Sequence, residues 1–315
     1  MQIPTFSNIQ EAYQIIQPEV HQTPVLTNQQ LDERTRGHIY LKCENFQKVG
    51  AFKIRGATYA ISQLSDEEAR QGVATHSSGN HAQAVALAAK KRGIPAYIVM
   101  PKNAPQVKVN AVKDYGANIT FCESTQDARE STLRDVVDET GASFIHPYNN
   151  PHIITGQGTA ALELLEQQPH LDMVLAPIGG GGLMSGTAIT TSGLSREIAI
   201  VGSEPEVAND AFLSFQTGTL HPVQSTDTVA DGLRTSLSEL TFACIQKHVD
   251  EIVTVTEQQI IDAMRFIWER MKIIIEPSSA VPIAAALHHI DCTDKRIGII
   301  ISGGNIDLKH LPWQS

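Results

Sequence analysis

The chain has 315 residues, of which 42% are hydrophobic, and its formal net charge at pH 7 is −10. This length suits two domains, and the acidic balance argues against a nucleic-acid partner. Because no apolar run reaches the length of a membrane span and no signal peptide opens the chain, we expect a cytoplasmic protein without a membrane partner. The cysteines show no CxxC spacing and are expected to be free thiols: Cys43, Cys122, Cys244 and Cys292.

From about residue 72, short β-branched runs alternate with longer helical patterns. The predicted strands are Gly72–Thr75, Ala96–Met100, Asn118–Cys122, Ser143–His146, Met173–Pro177, Ile198–Ser203 and Arg296–Ile301. The predicted helices are His81–Arg92, Gln126–Glu139, Gly158–Glu166 and Glu257–Lys272. Capping-box patterns begin at Ser65 and Thr256, and three glycines suit helix C-terminal caps: Gly93, Gly116 and Gly141. This alternation indicates an α/β fold.

The number of alternating units predicts two open, mostly parallel twisted sheets with flanking helices. We place a small inserted α/β domain at residues 72–146 and a large domain at residues 1–71 and 147–315. No linker sequence marks the joins, which suits one domain inserted within another. Ligands of open α/β sheets collect at the carboxyl ends of strands, and we expect the motifs described next to lie there.

One lysine, Lys53, stands in the stretch Gly50–Ala57 between Phe52 and Ile54. Apolar surroundings disfavour an ammonium ion and lower the pKa of a lysine. A neutral amine is nucleophilic and can form a Schiff base with an aldehyde. An exposed helix lysine is the simpler interpretation of this residue alone, but three further motifs favour a cofactor site.

A run of four glycines and a leucine separates an apolar strand from a helical pattern: Gly179, Gly180, Gly181, Gly182 and Leu183. Consecutive glycines let backbone N–H groups approach an anion, and the helix N-terminus adds a favourable dipole. The GxGxxG spacing is not met, and Thr187 stands where a Walker motif has its lysine. The pattern therefore predicts a phosphate site for a group other than NAD or a P-loop nucleotide.

Two further polar motifs follow predicted strands. Ser77, Ser78, Asn80 and His81 lie in a Ser-Ser-Gly-Asn-His loop that can bind a carboxylate or a ring oxygen, although one serine can be only a helix N-cap. Ser302 begins a Ser-Gly-Gly-Asn turn after the apolar run 297–301, where its hydroxyl could donate to a ring nitrogen. A packed or capping histidine is the commoner role for His81.

In this order, the four motifs resemble fold-type II pyridoxal 5′-phosphate (PLP) enzymes, whose fold is that of the tryptophan synthase β-subunit. The resemblance runs nearly end to end and points to the branch of serine/threonine dehydratases, threo-3-hydroxyaspartate dehydratases and serine racemases. It implies α,β-elimination of L-serine, L-threonine or threo-3-hydroxyaspartate to a 2-oxo acid and ammonia. The alternative is a serine or aspartate-type racemase with dehydratase side activity, in which Lys53 and Ser78 act on opposite faces of the cofactor ring.

The resemblance also assigns residues to the parts of PLP. Lys53 would hold the aldehyde, Phe52 would pack on the ring, and Asn80 would contact the ring oxygen. Ser302 would meet the ring nitrogen. The phosphate would lie against Gly179, Gly180, Gly181, Gly182 and Leu183. Candidates for contact with the substrate are Ser77, His81, Arg129 and Thr235.

Relatives in this branch carry a divalent-cation site, for which the matching residues are Glu204, Ala208 through its carbonyl, and Asp210. Oxygen ligands suit Mg²⁺, with Ca²⁺ or Mn²⁺ as alternatives. Some relatives bind ATP between the subunits of a dimer, and a homodimer is expected here. The positions that match the ATP site are Lys48, Gln83, Tyr115, Lys272 and Asn305. The chain ends at Ser315, soon after the Ser-Gly-Gly-Asn motif, so we expect no regulatory domain of the biosynthetic threonine dehydratase type.

Two other functions fit the motifs of this sequence less well. A β-replacement enzyme such as cysteine synthase usually has Asn-Thr-Gly in the serine loop, whereas this chain has Asn-His-Ala. A non-catalytic amino-acid or nucleotide sensor would not need Lys53, Ser302 and the complete glycine run together. A hydroxy-amino-acid lyase is therefore the preferred prediction.

Overall fold

A computed structural model of the chain describes residues 2–104 and 106–314. Its strands are, in chain order, β1 Val25–Leu26, β2 His38–Cys43, β3 Val73–His76, β4 Ala96–Pro101, β5 Asn118–Cys122, β6 Ser143–Phe144, β7 Met173–Pro177, β8 Ala199–Pro205, β9 Glu251–Val255 and β10 Arg296–Ile301. Its α-helices are α1 Phe6–Ile16, α2 Gln29–Thr35, α3 Lys53–Ser62, α4 Asp66–Gln71, α5 Asn80–Arg92, α6 Gln106–Asp114, α7 Gln126–Thr140, α8 Pro151–Gln167, α9 Gly182–Leu194, α10 Asp210–Thr217, α11 Glu239–His248, α12 Glu257–Met271 and α13 Pro277–His288.

The strands form two sheets, which confirms the predicted fold class. The larger sheet has the order β1-β2-β10-β7-β8-β9 and is parallel except for the β1–β2 pair. The smaller sheet has the order β5-β4-β3-β6 and is parallel throughout. The boundaries of the inserted domain at residues 72–146 stay a prediction, although all four strands of the smaller sheet lie within them.

Local sequence signals account for most of the helix ends. The predicted capping boxes at Ser65 and Thr256 are both formed. Gly93 and Gly141 adopt the left-handed conformation at the C-terminal caps of α5 and α7, where a side chain would be strained. The four cysteines are free and buried. Within the described residues, no helix is long and apolar enough to cross a bilayer.

The start of α8 was predicted wrongly. The helix begins at Pro151 rather than Gly158, with the Asn150 side chain accepting two backbone N–H groups as its N-cap. Its two glycines do not end the helix but allow close packing. A Cβ on Gly156 would stand 2.6 Å from the Cα of Gly56 in α3, so a side chain there would separate α8 from the helix that carries Lys53.

Strands β1, β2 and β9 were not predicted. In β2 the polar side chain of Lys42 interrupts the apolar run, yet Lys42 is fully buried because Glu163 of α8 pairs with it at 2.6 Å. A buried charge of this kind is stable only when its partner is supplied by another part of the fold. The β2 sequence alone does not contain that partner.

Candidate active site

Lys53 is the first residue of α3 and lies beside the end of β10. The backbone N–H of Phe52 donates to the carbonyl of Ser302 at 2.9 Å, and Ala51 forms a β-bridge with Gly303. Phe52 is buried, and its ring centroid is 5.1 Å from the Lys53 nitrogen. The structure therefore brings the lysine block and the Ser-Gly-Gly-Asn turn together, although about 250 residues separate them in the chain.

The environment of the Lys53 amine favours its neutral, nucleophilic form. Its side chain is half-buried, and Nζ donates to the carbonyl of Pro147 at 3.1 Å. Burial lowers the pKa of Lys53 to about 8, against the smaller opposing effect of the Glu276 carboxylate. A substantial fraction of the amine is therefore neutral near physiological pH, as a Schiff-base lysine or a general base requires.

The four glycines form a turn between β7 and α9 that has no room for side chains. A Cβ on Gly180 would stand 2.2 Å from the Tyr148 ring, and one on Gly179 would stand 2.9 Å from the Cα of Leu233. Gly181 has a φ of 83° and is the N-cap of α9, and Leu183 is buried in the first turn of that helix. Unpaired N–H groups at such a helix start suit a phosphate, so these residues fit that part of PLP.

Asn80 is held by two groups from the far end of the chain. Its Nδ2 donates to both carboxylate oxygens of Glu276, at 3.0 and 3.1 Å, and its Oδ1 accepts from Asn305 at 2.9 Å. These bonds fix which end of the amide is the donor, a choice that an isolated amide leaves open. The sequence interpretation missed Glu276, whose only local signal is a carboxylate placed before Pro277 at the N-cap of α13.

Glu276 is a buried carboxyl within this site. Burial raises its pKa to about 7, and the Asp231 carboxylate acts in the same direction. Its Oε2 also accepts from the backbone N–H of Asn305 at 3.1 Å. The Glu276 carboxyl can therefore gain or lose a proton near neutral pH. It does so beside the residues assigned to the ring oxygen and the aldehyde.

The serine loop joins β3 to α5, and His81 is its most constrained member. Ser77 and Ser78 are half-buried, and the Ser77 hydroxyl accepts from Gly79 N–H at 3.2 Å. His81 Nε2 lies 2.9 Å from the carbonyl of Ile145, so that nitrogen carries the proton. Burial lowers the pKa of His81 to about 3, with the Lys53 charge adding to the effect. The neutral ring then leaves a buried Nδ1 that has no partner among the described residues and can accept from a ligand.

Ser302 stands at the end of β10, directly beside Ser279 of α13. The two hydroxyl oxygens are 2.9 Å apart, and both residues are buried. The Ser279 hydroxyl also lies 2.7 Å from both the nitrogen and the carbonyl oxygen of Gly303. Ser279 was not singled out from the sequence, because one serine near a helix start is usually a cap or a packed residue.

The two remaining candidates for substrate contact, Arg129 and Thr235, differ in their exposure to solvent. Arg129 of α7 is half-buried, and its Nε is buried without a hydrogen-bond partner among the described residues. Thr235 is exposed, and burial raises the pKa of the Tyr148 hydroxyl. The Tyr148 ring meets His146 edge-on at 4.7 Å. Tyr148 thus covers the glycine turn.

The metal candidates lie together where β8 ends, with Glu204 in the strand and Ala208 and Asp210 just after it. Glu204, Ala208 and Asp210 are all buried. Burial raises the pKa of Glu204, and the Asp210 carboxyl raises it further, as expected for two neighbouring carboxyls without a cation. Asp210 Oδ2 accepts from Leu237 N–H at 2.9 Å, whereas no group in the described part of the chain hydrogen-bonds its buried Oδ1. Within the described residues no group of three His, Cys, Asp or Glu side chains could hold a metal, so a cation here would need the Ala208 carbonyl and water.

Of the five ATP-site candidates, only two line the same cavity. Lys272 and Asn305 line a cavity of about 380 Å³, together with Asn45, Phe46, Gly50, Ile273, Ile274 and Gly304. Lys48 instead donates to the carbonyl of Glu19 at 2.7 Å. Gln83 is buried in α5 and Tyr115 follows α6, and neither lines this cavity.

Comparison with known proteins places these features in one family. The family model "Pyridoxal-phosphate dependent enzyme" matches residues 16–303. A β-hydroxyaspartate dehydratase of Paracoccus denitrificans is 49% identical over 99% of this chain and 100% of its own length. An L-threo-3-hydroxyaspartate ammonia-lyase of Saccharomyces cerevisiae is 46% identical, over 98% of this chain and 96% of its own. The crystal structure of serine racemase from Dictyostelium discoideum is 47% identical, with a TM-score of 0.92 over 96% of this chain and 99% of that one. The chain therefore belongs to the family of pyridoxal-phosphate dependent enzymes, as its motifs predicted.

Proposed function

We propose that the protein is a PLP-dependent ammonia-lyase that converts a β-hydroxy-α-amino acid to a 2-oxo acid and ammonia. The observation that carries the proposal is Lys53, a half-buried amine with a pKa of about 8 at the meeting point of the cofactor motifs. Two relatives named for hydroxyaspartate elimination support 3-hydroxyaspartate as the first substrate to test, beside L-serine and L-threonine.

The cofactor's parts have matching residues in this chain. The glycine turn and Leu183 would hold the phosphate, Asn80 would contact the ring oxygen, and Ser302 would meet the ring nitrogen. Phe52 would cover part of the ring. When bound, PLP supplies the electron-withdrawing ring that acidifies the substrate's Cα–H bond.

Lys53 then acts as the base that takes the proton from Cα of the substrate. Its lowered pKa suits this role, because a base with a pKa near the working pH is present in the neutral form yet still accepts a proton. Loss of the β-hydroxyl as water completes the elimination, and hydrolysis of the released enamine yields the oxo acid and ammonia.

Serine racemisation is the second candidate function. Ser78 lies in the half-buried loop between β3 and α5, next to the cofactor residue Asn80. A hydroxyl on the ring face opposite Lys53 would return a proton to Cα from the other side and invert the centre. The relative of known structure named serine racemase supports this alternative.

A divalent cation at Glu204, Ala208 and Asp210 is part of the proposal. The unpartnered Oδ1 of Asp210 and the raised pKa of Glu204 support it, since Mg²⁺, Ca²⁺ or Mn²⁺ would relieve both. Differential scanning fluorimetry with and without Mg²⁺ tests it: the cation should raise the melting temperature of the wild type but not of Asp210→Asn. An equal shift of the melting temperature in both proteins would show that Asp210 does not bind the cation.

Homodimer formation, a cytoplasmic location and ATP as an effector complete the proposal. The free cysteines support a reducing compartment. Lys272 and Asn305 beside one cavity support a nucleotide site near Gly304. Sedimentation with and without ATP tests both the dimer and the effector.

The central experiment compares wild type, Lys53→Ala and the control Lys113→Ala, which removes an exposed lysine of α6. Each protein is incubated with serine, threonine and 3-hydroxyaspartate, and keto acid and D-enantiomer are measured together. We expect Lys53→Ala to lose the visible absorbance of the bound cofactor and both products, and the control to keep them. Full turnover by Lys53→Ala would overturn the proposal, and product from sulfide and O-acetylserine would favour a β-replacement enzyme.

A further inference from the structure

An ion pair joins the two sides of the candidate active site. The Lys108 nitrogen of α6 lies 2.8 Å from the Asp231 carboxylate, although 123 positions separate the two residues. The Lys108 side chain is only 15% exposed, and that of Asp231 is 43% exposed. A lysine normally extends its ammonium group into water, so this low exposure indicates a specific contact rather than a solvated surface charge.

Lys108 is attached to the wall of the site that carries Asn80. Its helix, α6, packs on α5 through Val109 and Val112, which lie in one hydrophobic cluster with residues of α5. Asn80 is the first residue of α5. Because the two helices share this apolar contact, a displacement of Lys108 would also displace the residue assigned to the ring oxygen.

Asp231 is attached to the opposite wall, which carries the glycine turn. It begins a single 3₁₀ turn, Asp231–Leu233, in which the N–H of Gly232 donates to the Ser278 hydroxyl of α13 at 3.0 Å. A Cβ on Gly179 would stand 3.0 Å from the Gly232 carbonyl oxygen, so this turn packs directly against the residues assigned to the phosphate. Both members of the ion pair are therefore attached to elements of the cofactor site.

The ion pair is also close enough to the site for its charges to act there. Burial is the main cause of the raised pKa of Glu276, but Asp231 raises this pKa further and Lys108 lowers it. Electrostatic effects of this kind weaken with distance, so both charges lie near the carboxylate that holds Asn80. Because the two effects oppose each other, the intact pair disturbs the site less than either charge would alone.

One other ion pair among the described residues joins the same two parts of the chain. The strands of the smaller sheet lie within residues 73–144, and Lys91 of this segment pairs with Glu19 at 2.6 Å. Both side chains are exposed to solvent, at 30% and 48%. Lys91 stands 11 residues after Asn80 in α5, which is about 16 Å along the helix. This second pair therefore lies away from the active site.

We propose that Lys108 and Asp231 form a clasp that holds the two walls of the active site at the spacing that a bound substrate needs. Both are positioning residues, since neither is assigned a contact with the cofactor or the substrate. The inference rests on the proposed function, which assigns Asn80 and the glycine turn to PLP. The clasp is intact both before and during the chemical step, so its loss should raise KM and leave kcat unchanged.

Four variants separate the ion pair from the effects of its individual residues. Asp231→Asn and Lys108→Met each remove one charge with little change in shape. The exchanged pair, Lys108→Asp with Asp231→Lys, restores the attraction in the opposite direction. Lys91→Met removes the other ion pair between the same parts and is the matched control.

Two measurements are made on each protein. One is kcat and KM for the substrate that the wild type converts to keto acid. The other is amide hydrogen exchange by mass spectrometry at residues 106–114 and 228–237, with and without PLP. Hydrogen exchange reports local opening of these segments and does not depend on activity.

We expect KM to rise about 2- to 5-fold in Asp231→Asn and Lys108→Met, as for the loss of a partly exposed ion pair, with kcat unchanged. The exchanged pair should return KM towards the wild-type value, and Lys91→Met should leave KM unchanged. Hydrogen exchange at residues 106–114 and 228–237 should be faster in the two single variants than in the wild type.

An unchanged KM in both single variants would overturn the inference. An equal rise of KM in Lys91→Met, or a rise that the exchanged pair does not reverse, would also overturn it, because the effect would not then come from a clasp at the active site. The proposed function is judged separately. A wild type that forms no keto acid refutes the proposed function, and hydrogen exchange alone then decides whether the clasp exists.

Discussion

Arg55, two residues after Lys53, offers a sharp test of what holds the catalytic helix in place. Its guanidinium is fully buried and donates to Glu44 at 2.7 and 2.8 Å and to Glu163 twice at 2.8 Å. Lys42 also pairs with Glu163, so two cations balance two carboxylates. Replacing Arg55 by Met keeps most of the apolar stem, removes these four bonds and leaves the cluster with a net charge of −1.

The expected loss is large because the charges have no access to water. Removing one partner of a buried ion pair costs about 3–5 kcal/mol of unfolding free energy. Burial by itself would raise the pKa of Glu44, but Arg55 holds it below its ordinary value. Glu44 therefore contributes stability above its unfolded pKa, and this contribution is lost as the pH falls through the folded pKa. Without Arg55 the folded pKa of Glu44 rises, so the loss should be larger at about pH 8 than at about pH 5.

Urea unfolding at the two pH values measures this effect, with Arg265→Met as the matched control. Arg265 makes the same kind of bond, to Glu269 at 2.8 Å, but both side chains are about half exposed. The control should lose at most about 0.5 kcal/mol at either pH. A loss below about 1 kcal/mol in Arg55→Met, or one that does not grow with pH, would refute the claim that the buried cluster anchors α3.

Three further predictions concern the site itself. Gly180→Ala places a Cβ 2.2 Å from the Tyr148 ring and should weaken PLP binding at least about tenfold by equilibrium dialysis; unchanged affinity would contradict the tight turn. Ser78→Ala should abolish D-enantiomer formation but keep keto-acid formation, and parallel loss of both would remove Ser78 from the racemase role. Because the pKa of Lys53 is about 8, its neutral fraction increases with pH, so the rate of PLP rebinding to apoprotein should rise between about pH 6.5 and 9; a flat profile would contradict that pKa.

The sequence by itself determined the local structures and the family. Consecutive glycines before α9, the capping boxes at Ser65 and Thr256, and the strand–turn–helix order of the motifs are all set by nearby residues. They could be predicted because a glycine, a cap or a nucleophile has chemical requirements that are met within a few positions. The order of four motifs then identified a PLP enzyme without any three-dimensional information.

Only the tertiary structure decided which distant groups meet. Asn80 meets Glu276 across 196 positions, and Ser302 meets Ser279 because α13 packs beside the end of β10. Strand β2 was missed because Lys42 interrupts its apolar run, and the partner that allows Lys42 to be buried, Glu163, is 121 positions away. Sheet order and helix packing set such contacts, and neither is encoded in a local pattern. The sequence therefore supplied the functional groups, while the fold set their hydrogen-bond directions and their pKa values, on which the chemistry depends.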